Sequence, residues 1–124
     1  MTIQDALDMA DELKPNMMQE STKIRFLSEI EGKIYHEIIM KHEHEDDIDM
    51  PEYDSDTDTD TELLAPAPYD MVYVYWLISR IDHMNQEMDK YNNDRILFEN
   101  AWGELSDYWT REHMPLQPAS YYIF

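Results

Sequence analysis

Cysteine is absent from the 124-residue chain. That excludes disulfides, thiol catalysis and cysteine-ligated metal, and it fits synthesis in a reducing compartment. Glycine is nearly absent too, with Gly32 and Gly103 alone. A phosphate-cradling loop, a nucleophile elbow and a dinucleotide fingerprint each need glycines at fixed positions, so none is present. Basic residues number nine against 28 acids, and the net charge of −19 repels phosphate. Sequence-independent binding of nucleic acid or of an anionic membrane is therefore not expected, whereas an acidic wall past which DNA slides, or a mimic of DNA, stays open. No apolar run reaches the length of a membrane span, and the opening MTIQDALDMADEL lacks the basic start and apolar core of a signal peptide. The expectation is a soluble protein made in a cytoplasm.

What the chain does have is 43% hydrophobic residues, enough to argue against wholesale disorder. Its length suits one domain, read as 1–115, with an extended tail over 116–124. Hydrophobic spacing predicts an all-α fold, a small antiparallel bundle of about four helices. A first short helix carries Ile3 and Leu7 on one side, with Thr2 as its N-cap, and stops before the KPN at 14–16. A second starts at Ser21 or Thr22 and runs to about Lys41, with Ile24, Leu27, Ile30, Ile34 and Ile38 as its stripe. On its outer face Glu29–Lys33 and Glu37–Lys41 are spaced to pair. Gly32, in its interior, is a candidate for close packing.

A third helix is expected from Pro68 to about Tyr91, with Val74, Ile78, Ile81 and Met88 in one stripe and Tyr75, Leu77 and Met84 beside it. Its first half, MVYVYWLI, is strand-like in composition, and only the helical spacing of the continuation decides for a helix. The fourth helix starts near Asn93 or Asp94 and carries Phe98, Trp102, Leu105 and Trp109. The KYNND at 90–94 is then either a tight hairpin or a kink in one long helix.

Residues 42–79 contain twelve carboxylates and no Lys or Arg. Within them lies DSDTDTDTELLAPAPYD, and about 42–68 is too long for an ordinary helix connection. Asp54, Asp56 and Asp58, or the same pattern begun at Asp56, fall on the early ligand positions of a calcium loop. Both registers lack the turn glycine and the closing glutamate. His36, His42 and His44 lie at the frayed end of a helix, where three convergent ligands are not expected. No metal or cofactor is anticipated, nor any catalytic constellation. Asp54, Asp56, Asp58, Asp60 and Glu62 are read as a solvated acidic connection, extended against a neighbouring subunit or hanging into a channel.

Three Trp, nine Tyr and three Phe exceed what a small helical core needs. Successive residues turn by about 100°, so the aromatics around 69–76 cannot all face inward. Tyr69, Tyr73, Trp76, Tyr121, Tyr122 and Phe124 are candidates for an interface, against the alternative of core plus scattered surface residues. For the proline-broken tail the alternatives are a neighbouring subunit or the chain's own helices.

The stretches DELKPN, KIRFLSEIEGKI, DTELLAPAPYDMVYVYWL, YNN and ENAWGELSDYWTREHMP, which cover most of the chain, resemble the head–tail connector (adaptor) proteins of long-tailed bacteriophages. The resemblance implies a helical, non-enzymatic virion protein at the head–tail junction. It would form a homo-oligomeric ring, typically a dodecamer, between the portal protein and a tail-side connector or terminator protein, and extend the DNA channel. In such a channel the carboxylates of the acidic loop would keep DNA from sticking. The competing reading is an acidic, DNA-mimicking inhibitor of a nucleic-acid-binding protein, with a calcium-responsive module ranked below both.

Overall fold

The computed structural model describes residues 1–45 and 48–116. Four helices pack together without strands among these residues: α1 (Ile3–Leu13), α2 (Glu20–Glu37), α3 (Met71–Met84) and α4 (Met88–Glu112), with one 3₁₀ turn at Ile39–Lys41. The all-α expectation holds.

Helix α1 begins at a capping box. The Thr2 hydroxyl accepts the Asp5 amide, and the Asp5 carboxylate accepts the Thr2 amide. Those two bonds hold the Asp5 carboxyl below its usual range, the backbone one foremost. Ile3, Ala6, Leu7 and Ala10 recur at helical spacing and are buried. At the following corner Asn16 closes the turn through Lys14 O and the Met18 amide. Helix α2 buries Ile24, Leu27, Ile30 and Ile34, the expected stripe. It is shorter than its pattern suggested, because Ile38 leaves helical register and a single 3₁₀ turn follows. Gln19, without a side-chain cap, occupies the position assigned to Ser21 or Thr22.

The strand-like run becomes the central helix. In α3 the residues Val72, Tyr73, Val74, Trp76, Leu77, Ile78, Ser79, Ile81 and Asp82 are all buried, because α1, α2 and α4 each pack against it. A helix covered on several sides has no polar face to display, so its sequence loses the amphipathic rhythm. Leu27, Ile30 and Ile34 share one core with Ile78, Phe98 and Leu105, as the sequence stripes anticipate. Trp102 and Trp109 are only partly buried against that core.

The joint between α3 and α4 lies elsewhere than expected. It is Asn85–Gln86–Glu87, with Gln86 in the left-handed region at φ 59°, and Asn92 and Asn93 are inside α4. Met84 and Met88, placed by periodicity on the buried stripe, flank this joint at 61% and 50% exposure. A tertiary pin sets the position. The Lys14 ammonium, at the end of α1, ion-pairs with both Asp82 and Glu87, and the Glu87 amide donates to the Asp82 carbonyl.

Candidate functional site

The acidic connection is folded back along α2. Ile48 O accepts the Tyr35 hydroxyl, Met50 lies over Gly32, and the Tyr53 amide donates to Ser28 Oγ. These contacts fall on one side of α2, at spacings of three and four. Residues 54–61 then form two successive turns of the same design. Thr57 N donates to Asp54 O at 3.1 Å and Thr61 N to Asp58 O at 3.0 Å. Asp54 Oδ1 accepts the Asp56 amide, and Asp58 Oδ1 the Asp60 amide, both at 2.9 Å. Aspartate favours such turns by bonding its own backbone two residues on. The alternating Asp and Thr or Ser residues therefore make compact turns rather than an extended strand.

The turns close the open end of α1. Thr61 O and Thr59 O accept the amides of Ile3 and Gln4, and Leu63 N donates to Met1 O. The first amides of a helix have no intrahelical partner, so the loop supplies what α1 lacks. The carboxylates also sit near the positive end of the α1 dipole. Asp54, Asp56, Asp58, Asp60 and Glu62 are all exposed, while Tyr53, Leu63 and Ala65 beside them are buried.

A buried glutamate ties the connection to the core. Glu31, fully buried on α2, accepts the Tyr73 hydroxyl at 2.5 Å, the Tyr53 hydroxyl at 2.9 Å and the Leu64 amide at 2.9 Å. The Tyr73 oxygen in turn accepts the Ala65 amide. Burial pushes the Glu31 carboxyl up despite these three donors, and burial beside Glu31 pushes both phenols up. One carboxylate thus joins α2, α3 and two points of the loop. Nothing in the spacing of Glu31 marked it; its only sequence signal was an acid inside the arc of the apolar stripe.

The second polar cluster surrounds the α3–α4 joint. Asp82 is completely buried, and the Lys14 ammonium at 2.7 Å compensates its charge. Desolvation and the neighbouring Asp82 carboxyl push Asp94 up to about 6. At the corner of α1 and α2, Lys23 is buried against Asp11 at 2.7 Å. There the bonds from Lys23 and Asn16 outweigh desolvation and lower the Asp11 pKa.

The expected interface aromatics are divided by this arrangement. Tyr73 and Trp76 are in the core instead, at 0% and 2% exposure. Tyr73 is there because its hydroxyl meets Glu31, and Trp76 because its Nε1 donates to Phe26 O while Phe98 covers its ring. Tyr69 is half-buried and stacks on Tyr108 at 4.5 Å. Tyr121, Tyr122 and Phe124 lie outside the described residues. Before them, Leu116 N donates to Lys41 O and Glu43 N to Met114 O, so the chain after α4 is bonded beside the end of α2.

The three histidines do not converge. His42 is buried between Ile38 O and Thr110 Oγ1, His36 meets Met50, and His44 lies against Glu45 O. Among the described residues no group of three or more His or acidic side chains is placed to hold a metal ion. The expected Glu29–Lys33 and Glu37–Lys41 ion pairs are also missing from the described residues. Lys33 lies over the Trp76 ring instead, 4.8 Å from its centroid, where a flat aromatic face competes with an exposed carboxylate.

Several hollows mark the surface, three of them beside α4. Leu13, Tyr75, Ile78, Lys90, Asp94 and Leu97 line a concavity of about 450 Å³. A neighbouring one of about 340 Å³ shares Tyr75 and Leu97, so the two form a groove along the α3–α4 seam. On another side of α4, Lys33, Glu37, Trp76, Arg95, Phe98, Glu99 and Trp102 surround a cleft of about 160 Å³. No protein-family model matches the chain, and no curated protein or solved structure matches it either.

Proposed function

We propose that the chain is a structural subunit of a ring at a phage head–tail junction, acting by assembly and not by catalysis. The observation that carries an assembly role is the exposed side of α4. Phe98 and Leu105 are the two buried side chains along its 25 residues, and Ile96 and Leu97 are exposed at 57% and 44%. Leu97 belongs to the groove that also contains Leu13 and Tyr75. A long helix with such a face is suited to packing against another copy or an adjoining ring.

The ring and its neighbours come from the resemblance. Its quoted stretches contain Lys14, Glu31, Tyr73 and Leu105, which are structural pins and core residues here, so the resemblance speaks first to the fold. An acidic surface is consistent with DNA passing through without adhering. The competing reading, mimicry of DNA, is favoured by one observation: the tandem turns hold exposed carboxylates at fixed positions. The protein content of purified particles separates the two. A connector subunit is expected at about a dozen copies per particle; absence from particles, with binding to a nucleic-acid-binding protein, would decide for the mimic.

A further inference from the structure

The chain after α4 leaves the described residues at a defined place. Glu43 N donates to Met114 O and Leu116 N to Lys41 O, both at 2.8 Å, and His42 and Pro115 form an isolated antiparallel bridge. Leu116 is therefore anchored to the 3₁₀ turn that begins at Ile39.

Ile39 is also one wall of a hollow of about 550 Å³, with Ile48, Leu64 and Trp109 as the others. Ile48, Leu64 and Trp109 pack against the core but are only partly buried. His113 stacks on the Trp109 ring at 4.7 Å and holds it in place. Trp109 Nε1 is buried with no hydrogen-bond acceptor among the described residues. Buried donors are normally satisfied, so this indole points to an occupant that carries an acceptor. Two exposed carboxylates, Glu43 and Glu45, line the same hollow.

These features select the occupant. In a chain of net charge −19, the two carboxylates disfavour any acidic segment, while the apolar walls favour aromatic and aliphatic side chains. Residues 114–124 contain no Asp, Glu, Lys or Arg, and 117–124 carry Tyr121, Tyr122, Ile123 and Phe124. The only other run of eight or more residues without those four types, 71–79, is largely buried in α3. Eight residues beyond Leu116 reach at most about 26–29 Å, far more than the width of the hollow. So short a link also holds its end at an effective concentration on the order of millimolar, above that of a second copy at micromolar levels.

We propose that residues 117–124 dock in the Ile39–Trp109 hollow of their own chain. Tyr121, Tyr122 and Phe124 supply the apolar contact, and an oxygen of the tail accepts the hydrogen bond from Trp109 Nε1. This goes beyond the ring reading and does not rest on it. The tail then covers the place where α2, the connection and the end of α4 meet, and Ile96 and Leu97 are left as the surface for a partner.

A chain without cysteine allows a clean test. Ile48→Cys is combined in turn with Tyr121→Cys, Tyr122→Cys and Phe124→Cys, and Met17→Cys, at a fully exposed site, replaces Ile48→Cys as the control. Under mild oxidation at about 10 μM protein, at least one Ile48 pair should close a disulfide within the monomer at least about tenfold faster than its Met17 counterpart. Rates no faster than the control overturn the proposal. Disulfide-linked dimers as the main product also overturn it, since the occupant is then the tail of a second copy. A second measurement needs no cysteine. Replacing Tyr121, Tyr122 and Phe124 together by Ser should move the Trp109 indole N–H resonance and leave that of Trp76, which donates to Phe26 O, in place. A Trp109 signal that does not move overturns the docking. The ring is judged separately, by particle composition.

Discussion

The segment 42–70 and helix α4 are of similar length and have exchanged the roles that their regularity would assign. Among its described residues the connection has no regular secondary structure beyond isolated bridges, yet it buries Tyr53, Leu63 and Ala65, caps α1 and supplies donors to Glu31. Helix α4 is the longest regular element and buries Phe98 and Leu105 alone. Regular hydrogen bonding and contribution to the core are thus separable. The connection is held by side chains of other elements, while α4 satisfies its own backbone and has surface left over for partners.

Removing the shared anchor should break the comparison most severely. Glu31→Leu leaves the Tyr53 and Tyr73 hydroxyls and the Leu64 amide buried without acceptors, and is expected to destabilise by about 3–5 kcal/mol in urea unfolding. Next comes a matched pair of truncations. Leu63→Ala in the irregular connection should cost about 2–4 kcal/mol, whereas Leu97→Ala in regular α4 should cost under about 0.5 kcal/mol. Equal costs would contradict the contrast between a buried connection and the exposed side of α4.

The joint beneath α4 makes a pH-dependent test. Asp94 has a folded pKa raised to about 6 from 3.8, so the folded state holds its proton more tightly. Its contribution is favourable below pH 4 and is lost as pH rises through about 6. Asp94→Asn should therefore flatten the loss between pH 4 and 6, by an amount on the order of 1 kcal/mol after solvent screening. Comparing variant with wild type removes the opposite trend of Asp5 and Asp11, whose pKa values are lowered. An effect of opposite sign is expected at the glycines. A methyl at Gly32 would meet only Met50 Sδ at 3.8 Å, and one at Gly103 nothing within 4 Å. Gly32→Ala and Gly103→Ala should each stabilise by about 0.5–1 kcal/mol in thermal unfolding.

Much of this fold was legible because α1 and α2 are amphipathic and one-sided. Ile3, Leu7, Leu27, Ile30 and Ile34 announce their face by spacing, and Thr2 with Asp5 announces a helix start. The α3–α4 joint was not legible, because Asn85–Gln86–Glu87 lacks glycine and is placed by Lys14, some seventy residues away in sequence. The turn-like Asn92 and Asn93 pointed to the wrong place for the same reason: tertiary ion pairs outweighed local propensity. The acidic run was legible as a connection without regular secondary structure, and its described residues are one. Its anchorage was hidden, since nothing local to Asp54–Glu62 shows that Glu31 waits in the core. Composition leaves Tyr73 and Trp76 open between interface and core, because a helix covered by three others cannot be told from an interface by composition.

Hydrogen exchange at the amides of Leu63, Leu64 and Ala65, against those of α3, tests the structural role of the connection most directly. All three donate within the described fold, to Met1 O, Glu31 Oε2 and Tyr73 Oη. Protection equal to that of the central α3 amides, lost together with theirs on global unfolding, is the expected result. Exchange at the rate of an unstructured chain, with α3 still protected, would contradict it.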